Sequence, residues 1–342
     1  LKYLFLIPLL AIGLLSMAQI TSNPFRTEGK LQVIFDTDMG NDIDDALALD
    51  MLYKYTDQNR INLLGIMNNK TSDYSTRFLD MMNTWYGHSK IPIGRIENGV
   101  IINDYVDYSK NMVAYNDSIK FYKYSIKDHD KLLESHKLYR KILAKQKDQS
   151  VIIISVGFST NLDRLLKSEG DQYSPLSGVD LVRKKVKYLS IMAGSFGEKK
   201  RAEFNVVHDI PAAKFVIENW PVDIVLSPFE VGLKVMYPAK SIENDFNWTK
   251  NHPLVDAYKR YRPFPYNRPT WDLTSVYYAI EQENNLLDIS KAGKLTVDNK
   301  GFTFFEESQN GKHYVLSIDD KNIKPLQEYF VELIKQKPRK YR

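Results

Sequence analysis

The chain has no cysteine in its 342 residues, which excludes disulfides, thiolate metal sites and cysteine nucleophiles. An excess of one charge is lacking too. Lys and Arg total 47 against 42 Asp and Glu, a formal charge of +5, and the basic clusters at Lys184–Lys185, Lys199–Arg201 and Lys337–Arg342 are spread along the chain. A nucleic-acid footprint would gather them in one stripe, so no nucleic-acid partner is expected. An apolar stretch from Leu4 to Leu15 is shorter than the roughly 20 residues of a membrane span. It follows Lys2 and precedes Ser16-Met17-Ala18, a small-x-small cleavage pattern. Residues 1–18 therefore read as a signal peptide, with a secreted or periplasmic product that has no membrane association once the signal is removed. A lipoprotein would need a cysteine at the cleavage point, and an exported protein without disulfides must be held by its core.

No internal repeat or low-complexity segment interrupts the rest. Strand-length apolar runs recur at Leu31–Phe35, Ile61–Met67, Val151–Val156, Tyr188–Met192 and Val222–Leu226, with helix-length segments between them. Such alternation predicts an α/β fold, an open, mostly parallel Rossmann-like sheet with helices on both faces. Residues 19–342 are expected to form a single domain, with a core at 31–280 and a C-terminal appendage at 290–336. In the appendage, runs at Lys294–Val297, Phe302–Phe305 and Tyr314–Ser317 flank the turn signals Asp298–Gly301 and Ser308–Gly311, which predicts a small antiparallel unit; a helix follows over Ile323–Lys335. A Tyr- and Lys-rich stretch, Asn103–Asp130, shows no period and reads as a lid or insertion.

The chemistry is concentrated in Asp36-Thr-Asp38-Met-Gly40-Asn-Asp42-Ile-Asp44-Asp45, five carboxylates between the first strand and the first helix. Helix capping uses one or two acids. Five at this density repel one another and lose hydration, a conflict that a hard cation with oxygen ligands resolves. An EF-hand would need Gly at its sixth position and an acid at its twelfth, where this loop has Asn41 and Leu47. A haloacid dehalogenase-type phosphatase also opens on Asp-x-Asp, with Asp36 as nucleophile, but leaves Asp44-Asp45-Ala46 without a role. The other strand ends carry Asn68-Asn69, Val156-Gly157-Phe-Ser-Thr-Asn161 and Ala193-Gly194-Ser195, so the polar punctuation gathers on one sheet edge, where open α/β sheets bind ligands.

The Asp run resembles the N-terminal signature of the inosine-uridine nucleoside hydrolase family, Asp-x-Asp-Pro-Gly-x-Asp-Asp-Ala, with two extra residues before the Asp pair. The resemblance continues in order through Gly65–Asn69, Ile91–Gly94, Val156–Leu162, Glu203-Phe-Asn205 and Pro269-Thr-Trp-Asp272. It implies the nucleoside hydrolase fold, a bound Ca²⁺ and cleavage of the N-glycosidic bond of a ribonucleoside. Carried over by position, it makes Asp38, Asp45, Asp272 and the Val156 carbonyl the metal ligands, with Asp38 also the general base toward water. Asp44, Asn69, Glu203 and Asn205 would grip the ribose hydroxyls, with Asp42 a competitor for the role of Asp44. The small-molecule ribonucleoside is the expected partner, and a homo-oligomer is allowed.

Two departures stand out. Trp271 occupies the place of the family's His that protonates the leaving base, and Gly197 the place of an Asn on the 5′-hydroxyl side. An indole cannot serve as that acid; Trp271 would stack on the base or pack in the core. Arg268, Tyr266 and Tyr261 are the nearby alternatives for proton delivery. A binding protein that kept the pocket and lost catalysis is the second hypothesis, and the phosphatase the third.

Overall fold

The computed structural model describes residues 25–102, 106–283 and 286–342; the expected signal peptide lies outside them. The strands are β1 (Leu31–Thr37), β2 (Ile61–Asn68), β3 (Ile93–Gly94), β4 (Val151–Ser155), β5 (Val186–Met192), β6 (Asp223–Ser227), β7 (Met236–Tyr237), β8 (Arg268–Pro269), β9 (Asp288–Ile289), β10 (Gly293–Val297), β11 (Thr303–Glu307) and β12 (His313–Ser317). Among the described residues the main sheet runs β11-β10-β12-β6-β5-β4-β1-β2-β3, with β9 on β12 and β7-β8 as a separate pair. Strands β1 to β6 pair in parallel, as the apolar alternation predicts.

The central strands are apolar on both faces because both faces are covered. The two-residue period sends Val33, Phe35, Ile152, Ile154 and Tyr188 into one core layer. Ile34, Ile153, Leu189, Ile224 and Leu226 go into the other. On the first face lie α1 (Asp44–Asp57), α2 (Ser75–Tyr86) and α3 (Tyr108–Ile119); on the second lie α4 (Ser135–Leu143), α5 (Thr160–Leu166) and α6 (Gly178–Lys185). The short α7 (Phe204–Val207) leads into α8 (Ile210–Asn219) on the second face, and α9 (Phe229–Lys234), α10 (Ala239–Asn244), α11 (Pro253–Tyr261), α12 (Trp271–Ile280) and α13 (Asp320–Ile334) complete the first. Helix α1 is buried from Asp44 to Tyr55, so its acidic first turn cannot be a solvated cap.

Two expectations change. The C-terminal strands are antiparallel among themselves, but β12 pairs in parallel with β6 (His313 opposite Ile224, Val315 opposite Leu226), so the appendage continues the central sheet. The stretch read as aperiodic contains α3, capped by the Asp107 side chain accepting from the Lys110 amide at 3.1 Å and buried through Tyr108, Met112, Val113 and Asn116. No described helix is long and apolar enough to cross a membrane.

In-register pairing brings the carboxyl ends of the strands level: Asp36 sits beside Met67 and Ser155, and Ser155 beside Ile191. The loops that leave β1, β4 and β5 therefore meet at one edge.

Candidate active site

The loop after β1 and the first turns of α1 and α12 form the floor of a cavity of about 300 Å³, lined by Asp38, Asp42, Asp44, Asp45, Val156 and Asp272 among others. The ladder ends at Thr37, and the chain must turn within six residues to enter α1 at Asp44. Gly157, at the turn leaving β4, is required by this closeness: a Cβ there would lie 2.6 Å from the Asp38 backbone nitrogen and 2.7 Å from Asn69 Oδ1.

The five carboxylates divide into four groups, Asp38 standing by itself. Asp36 points beneath the floor, where it accepts hydrogen bonds from the Tyr139 hydroxyl at 2.9 Å, from Asn161 Nδ2 at 3.2 Å and from Asn69 Nδ2. Burial pushes its carboxyl up to about 7, and it does not line the cavity. The phosphatase reading thereby loses its nucleophile. Asp42 is bound twice by Arg268, Nε to Oδ1 at 2.7 Å and Nη2 to Oδ2, so it is already partnered. Asp44 and Asp45 join Asp272 from α12, and the three offer carboxylate oxygens within 4.8 Å of one another. Asp44 also accepts from the Asp272 amide at 3.2 Å, and Asp45 from the Thr37 hydroxyl. Asp42 is thus held by Arg268, while Asp44 lies in the cluster.

Burial first, and then the charge of neighbouring carboxylates (Asp42 on Asp44, Asp38 on Asp45, Asp44 on Asp272), raise these three carboxyls well above the ordinary range. Three buried carboxylates with oxygens this close together are the environment a hard metal ion stabilises. The donor set fits such an ion: all oxygen, anionic and convergent. Asp38 lines the same cavity, accepts from Asn41 Nδ2 at 2.6 Å and is pushed up to about 6, chiefly by burial.

On the β4–β5 side, Glu203 and Asn205 occupy the wall. Glu203 caps α7, accepting from the Asn205 and Val206 amides at 2.9 and 3.3 Å and from Gly194 at 3.4 Å. Burial pushes its carboxyl up to about 7 despite those amides. The Asn205 side chain donates to the Val156 and Met192 carbonyls at 3.0 and 3.2 Å, so the carbonyl expected to face the metal carries a hydrogen bond here. Asn69 does not line the cavity; its oxygen accepts from the Phe158 amide at 3.3 Å and its nitrogen donates to Asp36, which makes it a buried brace of the loops.

Trp271 does line the cavity. Its indole donates to the Phe229 carbonyl at 2.9 Å and stacks on the Phe229 ring at 5.5 Å and 25°, with the Arg268 guanidinium 5.2 Å from its centre. Neither Tyr261 nor Tyr266 reaches the cavity, the latter donating to the Tyr258 carbonyl at 2.5 Å, and Asp42 holds the Arg268 proton more tightly than usual. None of the three suggested proton donors is therefore placed or poised as an acid. Arg201, Phe229 and Leu233 also line the cavity and were not anticipated. The latter two follow β6, the strand end whose loop was left out of the sequence reading.

A family model described as inosine-uridine preferring nucleoside hydrolase matches residues 33–325. The chain belongs to that family. Family members act on small-molecule nucleosides, and the chain is accordingly a nucleoside N-glycosyl hydrolase of a metal-dependent family whose Asp cluster can hold an ion. Among solved structures, this hydrolase is similar to an inosine-guanosine nucleoside hydrolase (19% identity, 89% of this chain and 97% of that one, TM-score 0.67). It is also similar to a plant nucleoside hydrolase (17%, 88% and 98%, 0.65) and to a purine-preferring ribonucleoside hydrolase from Gardnerella vaginalis (16%, 89% and 99%, 0.65). At these identities the likeness establishes the fold. Comparison with curated protein sequences finds no match.

The packing of Trp271 yields a testable expectation for the hydrolase. A Cβ on Gly232 of α9 would lie 2.3 Å from the Trp271 Cα and 2.4 Å from its Cδ1. Gly232→Ala must therefore push back the turn that carries Asp272, at a cost of about 1–3 kcal/mol. A lowered urea midpoint together with a raised KM is the expected result; an unchanged KM would mean that Trp271 does not shape the substrate wall.

Proposed function

We propose that this hydrolase is an exported, calcium-dependent enzyme that cleaves ribonucleosides to free base and ribose. The observation that carries the reading is the convergence of Asp44, Asp45 and Asp272 beside Asp38 in one cavity, with Glu203 and Asn205 on its wall. Calcium is favoured over softer ions because the cluster offers only oxygens and no histidine lines the cavity. The chemistry supplied by a bound ion is Lewis acidity, which eases deprotonation of water.

The chain's own groups perform the rest. Asp38, with no cationic side chain at hydrogen-bond distance among the described residues and oriented by Asn41, takes the proton of the attacking water. The surrounding carboxylates stabilise the positive charge that develops on the sugar as the glycosidic bond opens. Glu203 and Asn205 stand side by side on the cavity wall, where a carboxyl oxygen and an amide are suited to ribose hydroxyls. Trp271 and Phe229 give a flat apolar wall suited to a base. With no imidazole at position 271, the enzyme is suited to bases that leave without strong protonation.

The test is ribose release from a panel of ribonucleosides, with and without a calcium chelator. Release that stops on chelation and returns with Ca²⁺ is expected. No release from any nucleoside, with tight calcium and ribose binding intact, would instead make the protein a binder that has lost catalysis.

A further inference from the structure

We infer that the substrate carries a phosphate ester on its sugar, held by Arg201 and Lys200 at the junction of the nucleoside cavity with a second cavity. This deepens the proposed function and rests on it. The second cavity, about 570 Å³, is lined by Ser195, Lys200, Thr303, Phe304 and others, and among the described residues Arg201 alone lines both.

The charges of the first cavity are unevenly spent. Arg268 is neutralised by Asp42, and Glu203 is turned onto the amides that begin α7, so it does not pair with Arg201 two residues earlier. Glu230 accepts from the hydroxyl of Ser195 and from the Phe196 and Gly197 amides at 3.2 and 3.0 Å, all three being residues that line the second cavity. Arg201 makes no ion pair among the described residues; its guanidinium instead lies 4.4 Å from the Phe229 ring, which stacks in turn on Trp271. Lys200 likewise has no carboxylate partner among them, its ammonium lying 5.3 Å from the Phe304 ring.

Both side chains are exposed, and what sets Arg201 apart from an ordinary surface cation is its seat on the cavity wall. A guanidinium laid on the aromatic wall of a substrate cavity, with its donors unspent and a second cation beside it, is arranged for an anion whose oxygens accept two parallel hydrogen bonds. Phosphate on the sugar satisfies this while leaving the glycosidic carbon to the acidic floor. The reaction is hydrolysis: water gives its hydroxyl to the anomeric carbon and its proton to the departing base, and the phosphate ester stays intact in the ribose phosphate product.

The experiment compares kcat/KM for a ribonucleoside and its 5′- and 3′-monophosphates in wild type, Arg201→Gln, Arg201→Lys and Lys200→Gln, with thermal melts to confirm folding. Preference for one monophosphate over the nucleoside by about 10- to 100-fold is expected, collapsing in Arg201→Gln and partly kept in Arg201→Lys. Equal or better turnover of the nucleoside overturns the inference and leaves the proposed function standing. A nucleotide preference that survives Arg201→Gln and Lys200→Gln overturns the assignment to these residues. If neither nucleosides nor nucleotides are cleaved, the proposed function fails and this inference with it.

Discussion

Asp38→Asn should lower kcat by about 10²- to 10⁴-fold, the contribution of a positioned general base, and leave the fold intact. Asn preserves the volume at a position that is 4% exposed and keeps an oxygen for the 2.6 Å contact from Asn41. The trio of Asp44, Asp45 and Asp272 remains, so metal affinity should fall far less than turnover. A carboxylate with only a structural role would give the opposite pattern, a lower melting temperature at nearly unchanged kcat. The pH profile separates the two again. A base whose carboxyl is pushed up to about 6 by burial imposes a loss of rate on the acidic side in the wild type, displaced downward when an ion is bound, and that limb should vanish in the variant.

Much of this was legible before any coordinates. Buried parallel strands advertise themselves as continuous apolar runs: the strands Val151–Ser155 and Val186–Met192 fall on the runs Val151–Val156 and Tyr188–Met192. The Asp cluster was legible because five acids in ten residues have no cheap structural explanation. The sorting of those acids was not, since the group that claims Asp42 is Arg268, 226 residues further along the chain. Spacing likewise could not show that Glu203 would turn back to cap a one-turn helix, or that Asn69 would brace Asp36 from below. Helix α3 escaped notice because a polar residue, Asn116, sits at one of its buried positions, where its amide holds Tyr122 at 2.7 and 2.9 Å. For Asp42 and Asn69 a distant partner decided the role, and for Glu203 and Asn116 a backbone turn within a few residues did.

The chelated protein should lose stability as pH rises from about 4 to above 7, and a divalent cation should restore it. Asp36 and Glu203 are pushed up to about 7 and Asp38 to about 6, and the Asp44, Asp45 and Asp272 carboxyls are also raised, all chiefly by burial. Unfolded, each titrates near 4. The neutral forms are thus favoured in the folded state; their stabilising contribution is complete below about pH 4 and is lost as pH rises through 6 to 7. Metal binding needs the ionised carboxylates, so the gain from added Ca²⁺ must grow over the same range. At 100 times its Kd, the ion contributes about 2.7 kcal/mol, a shift of several degrees. Asp272→Asn separates this from general acid sensitivity: with one member of the repelling trio neutralised, the metal-free variant should melt higher than the wild type at pH 7.5. It should also no longer respond to calcium. If the wild type shows the same calcium shift at pH 5 and pH 7.5, or the variant keeps it, the ion binds elsewhere.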